Sequence, residues 1–267
     1  MDPRDLCCVS NELTVPGVLS AYRSGLFPMG VGEQGSGPIG WWSPVRRGVL
    51  LPGDLRVSKS LRKSVRKFTF SFDAAFPEVV DACADPDRPG AWITPQIRDL
   101  YCELHDRGVA HSVEVWKDGE LAGGLYGVWL GKLFAGESMF HWVTDASKAA
   151  LVELVRILSH ACGDAWIIDT QWQTPHLRSL GVSEIVAGEY RQRLELALQD
   201  VDFSGISHKS GSEREFLPHV AVRCIRQGLC SDHLGWHFVA QDGPTRFRKA
   251  ARGFSESAST QVWRTLG

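Results

Sequence analysis

The chain has 267 residues and a mass of 29.5 kDa, with 43% hydrophobic and 22% charged residues. This composition is ordinary for a globular protein and excludes a disordered, collagen-like or coiled-coil structure for most of the chain. The sequence contains no run of 18 apolar residues and no apolar segment typical of a secretory signal. Its seven cysteines form no C-x-x-C pair, which is typical of reduced thiols. We therefore expect a cytoplasmic protein with no membrane segment.

The hydrophobic pattern, taken in chain order, predicts an α+β fold. In the first half we predict a helix over 13–27, a glycine-rich loop, a strand over 48–51, a helix capped by Ser58, a strand over 68–72 and helices over 75–84 and 94–108. In the second half we predict strands over 110–117, 120–129, 132–140 and 165–170, with helices over 145–160, near 175 and over 188–199. A meander of strands followed by helix, strand and helix predicts an antiparallel sheet with helices packed on it.

The segment 201–267 has only weak periodicity and is not assigned to the core. Its Cys224, Cys230, His233 and His237 lack the loop of a dozen or more residues that usually separates the two ligand pairs of a zinc site. We therefore predict no metal site.

Two features near the start of the chain are compatible with nucleic-acid binding. Between Arg46 and Lys67 there are eight basic residues and one acidic residue, Asp54, whereas the whole chain has a net charge of −2. A local basic patch attracts polyanions at one place, although a solvated helix face explains the charges equally well. The adjacent Trp41 and Trp42 fit either core packing or stacking on a nucleoside.

Two predicted strands carry polar groups that are costly to bury. Glu137 lies in a predicted central strand, where alternation places it on the face opposite Phe134 and Phe140. It needs either a structural ion pair or a polar cavity there. Asp169 and Gln171 end an apolar strand and, two residues apart, point to the same side. Because catalytic groups are common at the carboxyl ends of strands, this pair is a candidate site.

A series of short motifs occurs in a fixed order between about residues 13 and 200. They are Ala21-Tyr22-x-x-Gly25-x-Phe27-Pro28, Trp41-Trp42-Ser43-Pro44, Thr94-x-x-Ile97, His111-Ser112-Val113-Glu114-Val115-Trp116, Gly124-x-Tyr126-Gly127, Phe134-x-Gly136-Glu137-Ser138-Met139-Phe140, Ala146-Ser147-Lys148-x-Ala150-Leu151, Ile168-Asp169-x-Gln171 and His176-x-x-Ser179-Leu180-Gly181. In this order and spacing they resemble the leucyl/phenylalanyl-tRNA–protein transferase family. The sequence departs from the family at Met29, where Trp is usual, and the segment 201–267 matches nothing in it.

The resemblance implies a fold, a reaction and partners. The implied fold has a small N-terminal domain over 1–60, a catalytic domain over 61–200 with an acetyltransferase-like (GNAT-like) antiparallel sheet, and an unmatched segment over 201–267. The implied reaction transfers leucine or phenylalanine from aminoacyl-tRNA to the N-terminal Arg or Lys of an acceptor protein, which creates an N-degron. No metal or organic cofactor is implied, because the tRNA ester is already activated. Residues 141–148 also lack the glycines that would hold the pyrophosphate of CoA.

The resemblance also implies roles for individual residues. Asp169 and Gln171 form a catalytic pair for the incoming α-amine, and Asp169 is either the base or a group that positions the amine. Glu137 lies in the same cavity and holds either the acceptor or the tRNA terminus. Trp41 and Trp116 contact the 3′-terminal adenosine. The aminoacyl group occupies an apolar pocket and its surroundings, made by Leu125, Phe134, Ser138, Leu151, Leu154, Leu158 and Ile168. The acceptor-stem phosphates bind a basic helix face made by Lys59, Arg62, Lys63, Arg66 and Lys67.

Two other classes of protein fit parts of this pattern. A peptidoglycan-type aminoacyltransferase shares the tRNA donor and the fold, but the duplicated domain expected there does not fit a chain of this length. A non-enzymatic tRNA-binding module explains the basic patch but leaves Asp169 and Gln171 without a role.

Overall fold

The predicted α+β fold is confirmed by a computed structural model, which describes residues 3–88 and 90–202. Its helices are α1 Val15–Arg23, α2 Lys59–Val65, α3 Phe76–Cys83, α4 Pro95–Asp106, α5 Ala146–Cys162, α6 Pro175–Ser179 and α7 Ala187–Leu198. A small sheet has the order β1-β3-β2 and contains β1 Leu6–Ser10, β2 Phe27–Gly30 and β3 Ile39–Trp42. A large sheet contains β4 Arg46–Leu50, β5 Thr69–Phe72, β6 Ala110–Lys117, β7 Glu120–Leu130, β8 Leu133–His141, β9 Ile167–Gln171 and β10 Ser183–Val186.

The large sheet has the order β10-β4-β9-β8-β7-β6-β5. All its neighbouring strands are antiparallel except β8 and β9, which are parallel. Parallel neighbours need a crossover connection, and α5 supplies it here. The prediction of an antiparallel sheet is therefore wrong at this one pair.

The parallel strands β8 and β9 are paired over only a short stretch. Pairing ends at Ala135 and Asp169, after which β8 continues beside β7 while β9 ends at Gln171, which has a φ of 57°. In the same place β8 contains a β-bulge, because Tyr126 pairs with Ser138 while the next residue, Gly127, pairs with Gly136. Glu137 is thus an extra residue in the strand.

The bulge changes which side chains share a face of the sheet. Phe134 packs in the core under α5, whereas Phe140 packs in the core on the opposite face. Glu137 contacts Tyr22 and Tyr101, which belong to the same core as Phe140. The prediction that Phe134 and Phe140 share a face opposite Glu137 is therefore wrong, because simple alternation does not survive an inserted residue.

Two hydrophobic cores cover the two faces of the large sheet. One lies under α5, α2 and α6, and α5 contributes the apolar stripe Leu151, Leu154 and Leu158. The other includes the buried faces of α1, α3, α4 and α7 and residues of the small sheet. Because both faces are covered, the central strands are buried on both sides and any polar residue within them is desolvated.

Helix starts follow the capping residues of the sequence. Ser58 and Thr94 accept hydrogen bonds from the backbone N–H groups of Leu61 and Ile97, at 3.1 and 3.4 Å, as predicted. Asp145 precedes α5 in a left-handed conformation, and its side chain makes no capping bond. It instead accepts from Ser64 of α2 and forms an ion pair with Lys148 of α5.

The predicted boundary at residue 60 does not coincide with the sheets. β4, over residues 46–50, lies inside the large sheet between β10 and β9, while the small sheet ends at Trp42. The short strands β1, β2, β3 and β10 were not predicted from the sequence.

Within residues 3–88 and 90–202, no helix has the length and apolar character needed to cross a membrane. The same residues contain no group of three or more His, Cys, Asp or Glu side chains that could hold a metal ion. Cys224, Cys230, His233 and His237 lie outside the described residues, as does nearly all of the segment 201–267.

Candidate active site

The three residues predicted to be catalytic meet where β8 and β9 separate. Glu137 comes from the bulge of β8, and Asp169 and Gln171 come from the end of β9. All three side chains are at most 1% exposed. Gln171 lies 3.5 Å from Glu137, measured from Nε2 to Oε1.

Asp169 is held by four hydrogen-bond donors. Arg47 of β4 donates from Nε to Oδ1 at 2.8 Å and from a terminal nitrogen to Oδ2 at 2.6 Å. Tyr190 of α7 donates its hydroxyl to Oδ2 at 2.7 Å. The backbone N–H of Gln171 donates to Oδ1 at 2.9 Å. Both carboxylate oxygens are thus fully engaged by groups of the protein itself.

The partners of Asp169 are themselves deeply buried. Arg47 is 1% exposed, donates to the carbonyl of Gly25 at 3.0 Å, and lies against the rings of Phe27 and Tyr190. Burial lowers the pKa of Arg47, but the charge of Asp169, together with the interactions with Tyr190 and the hydrogen bonds to both residues, outweighs burial, and the pKa is raised. Burial raises the pKa of the Tyr190 hydroxyl well above its usual value. Arg47 therefore stays charged and Tyr190 stays neutral.

Sequence reasoning missed the roles of Arg47 and Tyr190. Arg47 was counted with the basic stretch Arg46–Lys67, although its side chain faces Asp169 and not solvent. Its place inside an apolar strand is the signal that separates it from its neighbours, because a charged residue there needs a buried partner.

In the side-chain amide of Gln171, the nitrogen has a hydrogen-bond partner among the described residues and the oxygen has none. Its Nε2 donates to the carbonyl of Gly136 at 2.8 Å. Its Oε1 is buried and has no hydrogen-bond partner among the residues described. Buried polar atoms without a partner are uncommon and costly, so this oxygen is a candidate contact for a substrate N–H group.

Glu137 accepts two hydrogen bonds from tyrosines of different helices. Tyr22 of α1 donates to Oε1 at 2.5 Å, and Tyr101 of α4 donates to Oε2 at 2.6 Å. The two hydroxyls are 2.9 Å apart. These two tyrosines fix the carboxylate beside Gln171, and the sequence analysis did not identify either of them as a site residue.

The predicted apolar pocket residues lie together but are tightly packed. Leu125, Phe134 and Ile168 of the sheet and three leucines of α5, Leu151, Leu154 and Leu158, are fully buried in one core. Phe134 and Ile168 are paired across β8 and β9, one residue before the strands separate. The predicted pocket is therefore next to Asp169, although on the other face of the sheet from Glu137.

Ser138 does not join this apolar group. It lies across the strand from Phe134, on the side of Cys83, because of the bulge at Glu137. Burial raises the pKa of the Cys83 thiol to about 11, so the thiol beside Ser138 is protonated.

The two tryptophans predicted to contact adenosine use their indole N–H groups within the protein. Trp41 donates to Ser10 at 3.0 Å and Trp116 donates to Ser71 at 2.7 Å. Both indoles are partly exposed. Their N–H groups are therefore occupied, and only their ring faces are available for stacking.

The basic helix face points to solvent. Lys59, Arg62, Lys63, Arg66 and Lys67 are all exposed, and none forms an ion pair with any residue in the described part of the chain. Leu61 and Val65 bury the opposite face of α2. The hydrogen bond from Ser64 to Asp145 fastens this helix to the start of α5. This face therefore has the free charge that binding to phosphates requires.

Buried polar side chains that converge at strand ends of an α+β sheet are typical of an enzyme active site, and an exposed basic face on the same domain suits an anionic substrate. Comparison with known proteins also indicates an enzyme with such a substrate. The model of the leucyl/phenylalanyl-tRNA protein transferase family matches residues 49–195, and the model of that family's N-terminal domain matches residues 11–45.

Individual members of this family are similar to this chain over most of their own length. A leucyl/phenylalanyl-tRNA–protein transferase of Azoarcus sp. (strain BH72) is 48% identical over 199 residues, covering 73% of this chain and 82% of the relative. Its counterpart from Methylococcus capsulatus is 46% identical over 219 residues, with coverages of 79% and 89%. The chain belongs to the leucyl/phenylalanyl-tRNA protein transferase family, which confirms the resemblance found in the sequence.

Proposed function

We propose that this protein transfers leucine or phenylalanine from aminoacyl-tRNA to the N-terminal Arg or Lys of an acceptor protein, in the cytoplasm and without a metal or organic cofactor. The product carries an N-degron. The observation that carries the chemistry is the buried Oε1 of Gln171, which has no partner in the described structure. It is an acceptor at the point where the amine of the acceptor protein has to be held.

The reaction needs a free amine beside an activated ester. The α-ammonium of the acceptor, with an ordinary pKa of about 8, must lose a proton to water before it attacks. Gln171 Oε1 accepts a hydrogen bond from this amine and aims its lone pair at the ester carbonyl carbon. A C–N bond then forms, the C–O bond to the ribose breaks, and the ribose oxygen leaves with a proton from the attacking amine.

Glu137 supports the choice of acceptor. Its carboxylate is buried beside Gln171 and oriented by Tyr22 and Tyr101. We assign it to the cationic side chain of the N-terminal Arg or Lys, because a carboxylate in a low-dielectric site strongly favours a cation over a neutral group.

The donor is assigned to the remaining predicted residues. The apolar group of Leu125, Phe134, Leu151, Leu154, Leu158 and Ile168 takes the aminoacyl side chain, for which these packed side chains have to move apart, and Ser138 lines the opposite side of the strand. A side chain that is unbranched at Cβ fits a narrow apolar slot better than Ile or Val does. Trp41 and Trp116 stack on the 3′-terminal adenosine, and the basic face of α2 binds the acceptor-stem phosphates.

We also propose that the catalytic domain is acetyltransferase-like, with a small N-terminal domain before it. The support is a parallel strand pair, β8 and β9, that separates at a bulge within an otherwise antiparallel sheet. The catalytic domain ends near residue 200. Because β4 lies in the large sheet, we place the start of this domain before Arg46 and not at residue 61.

An acceptor comparison tests this proposal. The protein is incubated with Phe-tRNA and matched peptides beginning with Arg, Lys or Ala, and the peptides are analysed by mass spectrometry. We expect a gain of one phenylalanyl residue on the Arg and Lys peptides and none on the Ala peptide. Glu137→Gln is expected to weaken the preference for a cationic N-terminal residue. Equal transfer to the Ala peptide, or none to the Arg peptide, contradicts the proposal.

A further inference from the structure

We infer that Arg47 and Tyr190 are positioning residues that keep Asp169 as a permanent hydrogen-bond acceptor, so that Asp169 orients Gln171 and does not itself take a proton from the substrate. The inference rests on the proposed function and deepens it. It assigns two residues from distant parts of the chain to the aminoacyl-transfer site.

Both oxygens of the Asp169 carboxylate are fully occupied by hydrogen-bond donors of the protein. Its two oxygens receive four donors, two from Arg47, one from Tyr190 and one from the backbone of Gln171, all between 2.6 and 2.9 Å. Charge-assisted bonds in this range are strong, and the two-pronged contact of Arg47 also fixes the plane of the carboxylate. Because these donors occupy both oxygens and Arg47 already supplies the opposite charge, Asp169 has no oxygen left for a substrate.

A backbone hydrogen bond connects Asp169 to Gln171. Gln171 has a positive φ of 57°, a conformation that costs free energy in a residue with a side chain. The bond from its N–H to Asp169 Oδ1 holds this conformation. Its side chain is then fixed by the bond from Nε2 to Gly136, which leaves Oε1 without a partner in the described chain. Asp169 therefore sets the direction of the amide through the backbone.

Arg47 is itself held in place by contacts with several elements of the fold. Its remaining terminal nitrogen donates to the carbonyl of Gly25, and its guanidinium lies 4.9 Å from the ring centre of Phe27 and 4.4 Å from that of Tyr190. It thus joins β4, the turn after α1, α7 and β9. The carboxylate cannot rotate toward a substrate unless this group of contacts breaks, and leaving a buried ion without its partner is costly.

The test uses Tyr190→Phe, which removes one donor to Asp169 and keeps the ring. We expect kcat for Phe transfer to an Arg-peptide to fall about tenfold, with KM for Phe-tRNA and for the peptide unchanged within about twofold. The pH at which kcat rises should stay where it is in the parent protein, because the acceptor amine sets it. Arg47→Lys keeps the charge but loses the two-pronged contact, and a larger loss of kcat is expected.

A double-mutant cycle separates positioning from a general structural role. In an Asp169→Asn background, Tyr190→Phe is expected to cause no further loss of kcat beyond about twofold, because it acts through the same carboxylate. Glu153→Gln is the matched control: it perturbs a buried carboxylate paired with Arg156 on α5 and should lower Tm without lowering kcat at an assay temperature well below Tm.

Three results overturn the inference. The first is an unchanged kcat in Tyr190→Phe. The second is a double variant whose loss of kcat equals the product of the losses in the two single variants. The third is a rise in the pH at which kcat increases when the Tyr190 donor is removed, since that shift means that Asp169 takes the proton. Failure of the proposed function is distinguishable, because it appears as the absence of transfer by the parent protein.

Discussion

The exposed face of α2 offers a quantitative prediction about tRNA binding. Changing Arg62 and Lys63 to Gln removes two unpaired positive charges from a helix whose buried side, Leu61 and Val65, is left intact. Because exposed substitutions usually change the free energy of unfolding by less than about 0.5 kcal/mol, the fold should be unaffected. The effect should appear in the affinity for aminoacyl-tRNA.

The size of the effect follows from counterion release. Each phosphate contact on a duplex contributes about −0.9 to the slope of log K against log salt, so losing two contacts should flatten the slope by about 1.8. At about 0.15 M salt this corresponds to a loss of roughly thirtyfold in affinity. The value is an upper limit, because contacts to single-stranded phosphates give a smaller slope.

The assay is a titration of Phe-tRNA at several salt concentrations for the parent protein and the double variant. Arg98→Gln with Arg107→Gln is the matched control, because it removes one positive charge from α4 and one from the residue that follows it, and both are already paired, with Asp81 and Glu103. The control should leave the slope unchanged. If the α2 variant has the same slope as the parent protein, this face does not contact phosphates and the assignment is wrong.

Three further predictions concern catalysis, acid stability and the end of the chain. Asp169→Ala should lose nearly all Phe transfer but still bind Phe-tRNA in the same titration, and full activity would remove Asp169 from the site. Burial, with smaller effects of Lys148 and His141, lowers the pKa of His176 from 6.5 to about 4. The unfolded chain therefore binds more protons between these values, stability should fall as pH drops from about 6.5 to 4, and urea unfolding should show a weaker pH dependence in His176→Gln. A chain truncated after Asp202 should retain Phe transfer, because the family models end by residue 195, and loss of transfer at unchanged Tm would place the segment 203–267 in the substrate site.

The elements predicted well from the sequence are the long ones with a clear period. The bounds predicted for the strands that became β6, β7 and β8 agree with the structure to within one residue, because Asp118-Gly119 and Gly131-Lys132 mark both turns. The four short strands were missed for the opposite reason. These strands have four or five residues each and lack both the apolar runs that mark β4 and β9 and the alternating phenylalanines that mark β5. In addition, β2 and β3 lie on either side of a glycine-rich segment that favours a loop.

The candidate site was predicted in part. Asp169, Gln171 and Glu137 were found because carboxylates and amides are conspicuous in apolar strands. Their partners Arg47 and Tyr190 were not found, because they come from β4 and α7, and only the pairing of β4 with β9 and the packing of α7 bring them to Asp169. The bulge at Glu137 was invisible for a similar reason, since it is defined by its register with β7.

The central claim is that the amide oxygen of Gln171 holds the attacking amine. Its most direct test is the single-turnover rate of Phe transfer from saturating Phe-tRNA to a peptide beginning with Arg, measured for the parent protein and for Gln171→Ala. We expect Gln171→Ala to slow the transfer by at least about a hundredfold while the Kd for Phe-tRNA stays the same. A rate within a few fold of the parent protein would contradict the claim and place the acceptor amine elsewhere.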